Sequence, residues 1–287
     1  MQIGITLPAH IRGVSGDLIL EWARKADLGP FSTLSVIDRL VYPNYEPLVS
    51  LAAAAGVTQR IRLLTGVLLA PLRDASLLAK QAASLDAISG GRLTLGLGVG
   101  AREDDFRAVR APFTDRGRRF EQQLEIMKRV WSGQPLADDV GPIGPPPARP
   151  GGPELLIGGQ APAAIQRVAR WADGYIVGGG DAAAARERYA LAEEAWKAAA
   201  RSGRPRFVAS LPCALGPNAA ERAGANVRDY YAFLGLLADR VAGAVATSPE
   251  AINDGIRAFE DAGVDELVLG AAIPELDQVD RLADLLG

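Results

Sequence analysis

His10 is the only histidine of the 287-residue chain and Cys213 its only cysteine. A single imidazole can act as a general acid or base near neutral pH, but it cannot build the multi-histidine set that holds a catalytic metal. A single thiol excludes an intrachain disulfide, a zinc-finger spacing and a CxxC redox pair. Lys25, Lys80, Lys128 and Lys197 are the only lysines, all in segments with helical periodicity, so a Schiff-base or aldolase chemistry at a strand end is a poor reading. Asp38-Arg39 sets a carboxylate beside a guanidinium that stays charged, stabilises anions and cannot shuttle a proton. Gly158-Gly159-Gln160 and Gly178-Gly179-Gly180 each lie between an apolar run and a helical segment, where free backbone N–H groups and the helix dipole suit a phosphate. Tight turns alone explain either glycine cluster. The two at neighbouring positions favour a phosphate.

These residues need a scaffold, and the hydrophobic pattern supplies one. Short apolar runs predict strands near 2–7, 33–38, 61–70, 93–99, 154–159, 174–179, 206–213 and 266–272. Helical spacing predicts helices near 16–27, 46–58, 74–88, 116–132, 161–172, 181–202, 249–262 and 275–286. Eight βα units predict a single-domain α/β (β/α)8 barrel over 1–287, with loop insertions at the C-terminal face. The prolines between Gly133 and Pro153 predict an extended surface loop. In 214–248, residues 219–242 read as helical and should cover one side of the mouth or extend the outer ring.

In such a barrel the active site lies at the strand C-termini. That rule selects His10, Asp38, Arg39, Thr65-Gly66-Val67, Arg73, Gly98-Val99-Gly100, Gly158-Gly159-Gln160, Gly178-Gly179-Gly180, Ser210 and Cys213. Gly66, inside a leucine-rich strand, predicts a bulge or a close backbone approach. Gly96-x-Gly98-x-x-Ala101 formally matches a dinucleotide fingerprint, but it follows the fourth strand, and Arg102-Glu103-Asp104-Asp105 with Pro112 do not read as an immediate helix. His10 can equally be a hydrogen-bonded loop residue. Arg39 can equally pair with Asp38 or Glu46 to order its loop. The mixed charges from Arg102 to Arg119 read as a solvated face, or as arginines reaching an anionic ligand at the mouth. Tyr42, Tyr45, Tyr230, Tyr231 and Phe233 are a candidate substrate wall or simple packing.

Several runs together resemble the bacterial-luciferase-like flavin and deazaflavin oxidoreductases. They are Ser35-Val36-Ile37-Asp38, Ile61 to Leu69 around Thr65-Gly66-Val67, Leu85 to Gly98 with its Ser89-Gly90-Gly91-Arg92-Leu93 turn, Pro153 to Gly159, and Ala172-Asp173-Gly174. The Ser-Gly-Gly-Arg-Leu turn resembles the deazaflavin-using branch. The resemblance implies a non-prolyl cis peptide, placed at Gly66-Val67, that supports a tricyclic ring, and a cofactor that is coenzyme F-420 or, alternatively, FMN. It implies catalytic roles for His10, Asp38 and Arg39, and cofactor contacts from Asp38, Thr65, Gly66, Val67, Gly98, Val99, Gly100 and the two glycine turns. Relatives often carry Asp-His where this chain has Asp38-Arg39, which puts proton-coupled alcohol oxidation by that pair in doubt. The expected activity is hydride transfer to or from a small organic substrate. FMN-dependent monooxygenation and a non-catalytic flavin-binding barrel are the alternatives, and a homodimer is implied by analogy.

Composition sets the outer bounds. A hydrophobic fraction of 48% with mean hydropathy of +0.08 fits a globular protein, and no apolar run is long enough for a membrane span. A net charge of -3 gives no basic field for nucleic acid. Met1 leads directly into a strand-like run without the basic start of a secretory signal, so a cytoplasmic enzyme with small-molecule partners is expected.

Overall fold

Side chains on a strand alternate between its two faces, and here the inward set changes character along the strands. A computed structural model describes residues 1–287. Its strands are β1 (Gln2–Thr6), β2 (Thr33–Val36), β3 (Arg62–Thr65), β4 (Leu68–Leu69), β5 (Leu93–Gly98), β6 (Glu154–Gly158), β7 (Gly174–Val177), β8 (Arg206–Cys213) and β9 (Glu266–Ala271). All pair in parallel, in the order β3-β2-β1-β9-β8-β7-β6-β5-β4. A further β3–β5 pairing closes the sheet. Since β3 and β4 are two halves of one stave, this is the expected eight-stranded barrel.

The outer layer comprises α1 (Gly16–Leu28), α2 (Pro47–Ala55), α3 (Ala75–Ile88), α4 (Glu103–Ala108), α5 (Arg116–Trp131), α6 (Pro162–Trp171), α7 (Ala182–Ala198), α8 (Ala219–Tyr230), α9 (Leu237–Gly243), α10 (Pro249–Asp261) and α11 (Asp277–Ala283). Ser15, Asp74, Asp181 and Ser248 each accept a first-turn N–H with their side chains, contributing about 1 kcal/mol apiece. Two helices differ from the sequence reading. The run 219–242 breaks into α8, a short turn at Ala232–Leu234, and α9. The segment after β5 does open a helix, α4, because Glu103, Asp104 and Asp105 all fall in its first turn, where negative charge complements the helix dipole. Residues 133–153 hold neither helix nor strand, as their prolines require.

Inside the barrel, the first residues of four strands form a charged plug. Arg62 and Arg206 both bond Glu154, at 2.9 and 2.6 Å, and Arg206 also holds the buried Glu266. One step up lies an apolar layer of Leu64, Leu156, Ile176, Val208 and Val268. Each such side chain contributes roughly 1.5–3 kcal/mol on full burial, so this layer secures the closed sheet. The next inward positions carry Thr6, Ser35, Gly66, Gly158, Gly178, Ser210 and Gly270, which are too small to fill the barrel. A space therefore remains above the apolar layer.

The third stave breaks at Gly66-Val67, whose peptide is cis, as the resemblance implied. The break pushes Thr65 and Val67 toward β5. A β-carbon on Gly96 would lie 2.1 Å from the Thr65 carbonyl oxygen, and one on Gly98 would lie 2.8 Å from a Val67 methyl. The Gly96-x-Gly98 pattern is therefore a steric accommodation of the neighbouring strand and not a dinucleotide turn. Thr65 Oγ1 donates to the Gly96 carbonyl at 2.8 Å and joins the two strands there.

Gly96→Ala should consequently lower the thermal midpoint by several degrees, since the new methyl meets backbone and overpacking costs roughly 1–3 kcal/mol. Gly141→Ala, whose added carbon has no atom within 4 Å, is the control and should leave the midpoint unchanged. Equal midpoints for the two variants would contradict this account of β5.

Candidate active site

The space above the apolar layer is a cavity of about 590 Å³ at the strand C-termini. Its volume falls within the range of small-molecule sites. His10, Gly66, Val67, Gly158, Gly159, Gln160 and Gly178 to Gly180, all singled out from the sequence, line it together. Thr65, Gly98, Val99 and Gly100 are not part of that lining. Thr65 is fully buried, and Gly98 makes room for Val67.

Asp38 and Arg39 also lie outside the lining, and their interactions explain why. The Asp38 carboxylate accepts the Leu69 N–H at 2.8 Å and ion-pairs with Arg73 at 2.7 Å. Arg73 also pairs with Glu46 at 2.9 Å, so Arg73 fills the loop-ordering role that the sequence offered to Arg39. Asp38 thereby fastens β4, immediately after the break, to the end of β2. Its main-chain carbonyl accepts from Arg102 at 3.0 Å and from Tyr230 Oη at 3.4 Å. Arg39 turns outward into an aromatic cluster. Its guanidinium lies 4.7, 5.6 and 5.3 Å from the ring centroids of Tyr42, Tyr230 and Phe233, and it donates to the Tyr230 carbonyl at 2.5 Å.

That cluster anchors the insertion after β8. Asn226, Val227, Tyr230, Tyr231, Leu234 and Val241 form one wall of the cavity, so the segment covers the mouth. Asp229 bonds both Arg12 and Tyr42, which ties α8 to the loops after β1 and β2. Desolvation holds the Tyr230 and Tyr231 hydroxyls protonated, above the ordinary phenol range. The arginines after β5 are mostly structural. Arg102 pairs with the buried Asp105, whose carboxylate accepts the Leu40 and Val41 N–H groups, while Arg116 and Arg119 donate to loop carbonyls. Arg92, in the Ser89-Gly90-Gly91-Arg92 turn, satisfies carbonyls of Ala55, Thr58 and Ile61 at the opposite end of the barrel.

The two glycine turns are shaped for backbone access. Gly159 has φ of 134°, and Gly179 and Gly180 have 71° and 92°, conformations that other residues rarely adopt. Tyr175 Oη fixes the first turn by donating to the Gly159 carbonyl at 2.7 Å. The helix that follows, α6, starts without a side-chain cap, whereas Asp181 already caps α7. An anion therefore meets freer donors at α6. Arg188 lines the cavity beside Gly180 and has no carboxylate partner, so it can offset the charge of Asp181. In the sequence the one mark of Arg188 is its spacing of seven from the Asp181 cap, which places it on the same helix face two turns on. Thr6, Ser35 and Tyr175 also line the cavity, and strand alternation alone puts Ser35 on the face opposite Val36.

His10 packs edge-on to Tyr230, with centroids 5.7 Å apart. Burial pushes its imidazole down to about 4, and the nearby Leu7 backbone offsets this only in part. At neutral pH it is an uncharged hydrogen-bonding group. Because the unfolded chain takes up this proton near pH 6.5 and the folded chain only near 4, stability should fall as pH drops through that window. Denaturant titrations at pH 7 and pH 5 should show a smaller loss in His10→Gln than in the wild type. Identical losses would contradict the neutral assignment.

Comparison with known proteins agrees with this geometry. The luciferase-like monooxygenase family profile matches residues 1–284. An uncharacterised protein of Mycobacterium tuberculosis is 32% identical over 186 residues, which cover 55% of this chain and 64% of that relative's length. Among solved structures, a coenzyme F-420-dependent secondary alcohol dehydrogenase in complex with an F-420–acetone adduct superposes with a TM-score of 0.82 at 17% identity, covering 99% of this chain and 97% of that one. The oxygenating constituent of 3,6-diketocamphane monooxygenase from Pseudomonas putida, in complex with FMN, gives 0.75 at 18% identity, covering 99% and 96%. At these identities the superpositions speak for the fold alone. With a closed barrel, a broken third stave and a family match over nearly its whole length, the chain belongs to the luciferase-like monooxygenase family.

Proposed function

We propose that the protein transfers hydride between bound coenzyme F-420 and a small organic substrate, with the ring laid on Gly66-Val67 and the phosphate at the turns after β6 and β7. One observation carries this reading: a single cavity runs from a slot rimmed by glycine and small hydroxyl residues to two glycine turns and Arg188, which donates to the Gly179 carbonyl and has no carboxylate partner. A planar ring fits a slot rimmed by small residues above an apolar floor, and a phosphate fits free N–H donors beside a guanidinium. Bound there, the deazaflavin would supply the hydride chemistry.

The protein's own residues hold and orient. Gly66 and Val67 support the ring, with Thr65, Gly98, Val99 and Gly100 as backing. Gly158 to Gln160, Gly178 to Gly180 and Arg188 receive the phosphate. His10 offers a neutral polar contact to the substrate. Asp38, through Leu69 and Arg73, positions the kink, and Arg39 positions the covering segment that excludes water. The wall of Val227, Leu234 and Val241 favours an apolar substrate. Support for a deazaflavin tail comes from Arg107, at the end of α4, and Arg110, just beyond it, which are exposed and carry no ion pair, unlike Arg102 and Arg119. The reading includes a cytoplasmic homodimer, with the exposed Val49, Leu77 and Ile88 of α2 and α3 as the contact face. FMN-dependent monooxygenation is the second reading, favoured by the same slot and phosphate turns, which serve either ring.

Anaerobic titration with coenzyme F-420, FMN and riboflavin tests the proposal. The deazaflavin should bind more tightly than FMN, and more weakly as salt screens the arginines. Arg188→Ala should weaken both phosphate-bearing ligands about tenfold, the scale of one charge-assisted hydrogen bond, and leave riboflavin unchanged. Tighter FMN binding with substrate-dependent oxygen uptake would make the protein a flavin monooxygenase, and binding of neither cofactor would overturn the reading.

A further inference from the structure

Hydroxyl groups inside a packed barrel nearly always find a partner, because an unpaired one costs roughly 1–3 kcal/mol. Thr6 Oγ1 is buried without one. Ser35 faces Thr6 across the β1–β2 register, lines the cavity and is 3% exposed, and its hydroxyl also lacks a protein hydrogen bond. Gly66 is the neighbour on the other side. A β-carbon there would lie 2.8 Å from Ser35 Oγ, so the missing side chain keeps that oxygen open to the cavity. A buried unpaired hydroxyl, Thr6, and a cavity-facing hydroxyl without a protein partner, Ser35, thus stand side by side at the break in the third stave, in the layer directly above the apolar filling. The fold gains nothing from them. Alanine and valine would close that layer at no polar cost.

From this juxtaposition we infer that Ser35 and Thr6 form a hydroxyl pair that hydrogen-bonds a carbonyl or ring N–H on the heteroaromatic ring held against Gly66-Val67. The inference rests on the proposed ring site. A hydroxyl donates and accepts, so the pair suits the alternating carbonyl and N–H edge of an isoalloxazine-type ring, and Gly66 is required as much for Ser35 as for the ring face. In the ligand-free protein Thr6 Oγ1 is covered, so it engages by rotation about its Cα–Cβ bond. Ser35 meets the ligand first.

Ser35→Ala, Thr6→Val and Thr6→Ser, each titrated with riboflavin and with FMN and each melted without ligand, provide the test. Riboflavin isolates the ring from the phosphate. Ser35→Ala and Thr6→Val should each weaken both ligands by the same factor, about tenfold, while the ligand-free melting temperature stays level or rises. Thr6→Ser, which keeps the hydroxyl, should bind as the wild type does. Unchanged affinity in both deletion variants, or a lowered ligand-free melting temperature in both, would overturn the inference and make the hydroxyls structural. A wild type that binds neither ligand would remove the ring site itself, an outcome distinguishable from failure of the hydroxyl pair alone.

Discussion

The Thr65 carbonyl oxygen and the Val67 side chain occupy space that a β-carbon on Gly96 or Gly98 would need. That exclusion lets the third stave break while the barrel stays closed, since β3 and β4 both still pair with β5. The break turns backbone toward the axis at the level where neighbouring strands present glycine and small hydroxyl residues. A barrel of this kind is normally filled by layers of side chains. Here the charged plug and the apolar layer are filled and the next layer is not. The cavity follows from that omission.

Charge in this protein serves mainly as fastening around the cavity. Asp38 joins the end of β2 to β4 and Arg73, Asp105 holds the loop after β2 through two backbone N–H groups and Arg102, and Asp229 joins α8 to Arg12 and Tyr42. Breaking a buried pair by removing one partner typically costs 3–5 kcal/mol, whereas exposed pairs are worth about 0–1. The nearly buried Asp38 and Asp105 pairs therefore carry more of the mouth's order than the exposed pairs of the outer helices. Arg39, held over three aromatic rings, adds an attraction of roughly 0.5–2 kcal/mol per ring to the covering segment.

The barrel was legible because buried parallel strands leave continuous apolar runs and because the segments between them keep helical spacing. Gly66, in the middle of the leucine-rich run 63–69, signalled the break. The roles of Asp38, Arg39 and Arg73 were not legible, because an ion pair depends on side-chain direction across 35 residues of sequence, and adjacent residues such as Asp38 and Arg39 point opposite ways on an extended chain. The Ser89-Gly90-Gly91-Arg92 turn carried the family resemblance yet sits at the strand N-terminal end, where Arg92 serves carbonyl groups. Arg188 was missed because two helical turns separate it from the glycine turn it faces.

The central claim is that the broken third stave and the unfilled layer above Val208 and Val268 exist to seat a planar ring. A crystal structure of the protein soaked with coenzyme F-420 or FMN tests it most directly. The account places the ring in van der Waals contact with the Gly66-Val67 backbone and the phosphate within hydrogen-bond distance of the Gly159-Gln160 or Gly179-Gly180 amides and of Arg188. A ring bound elsewhere on the barrel, or a phosphate at the opposite, strand N-terminal end, would contradict it.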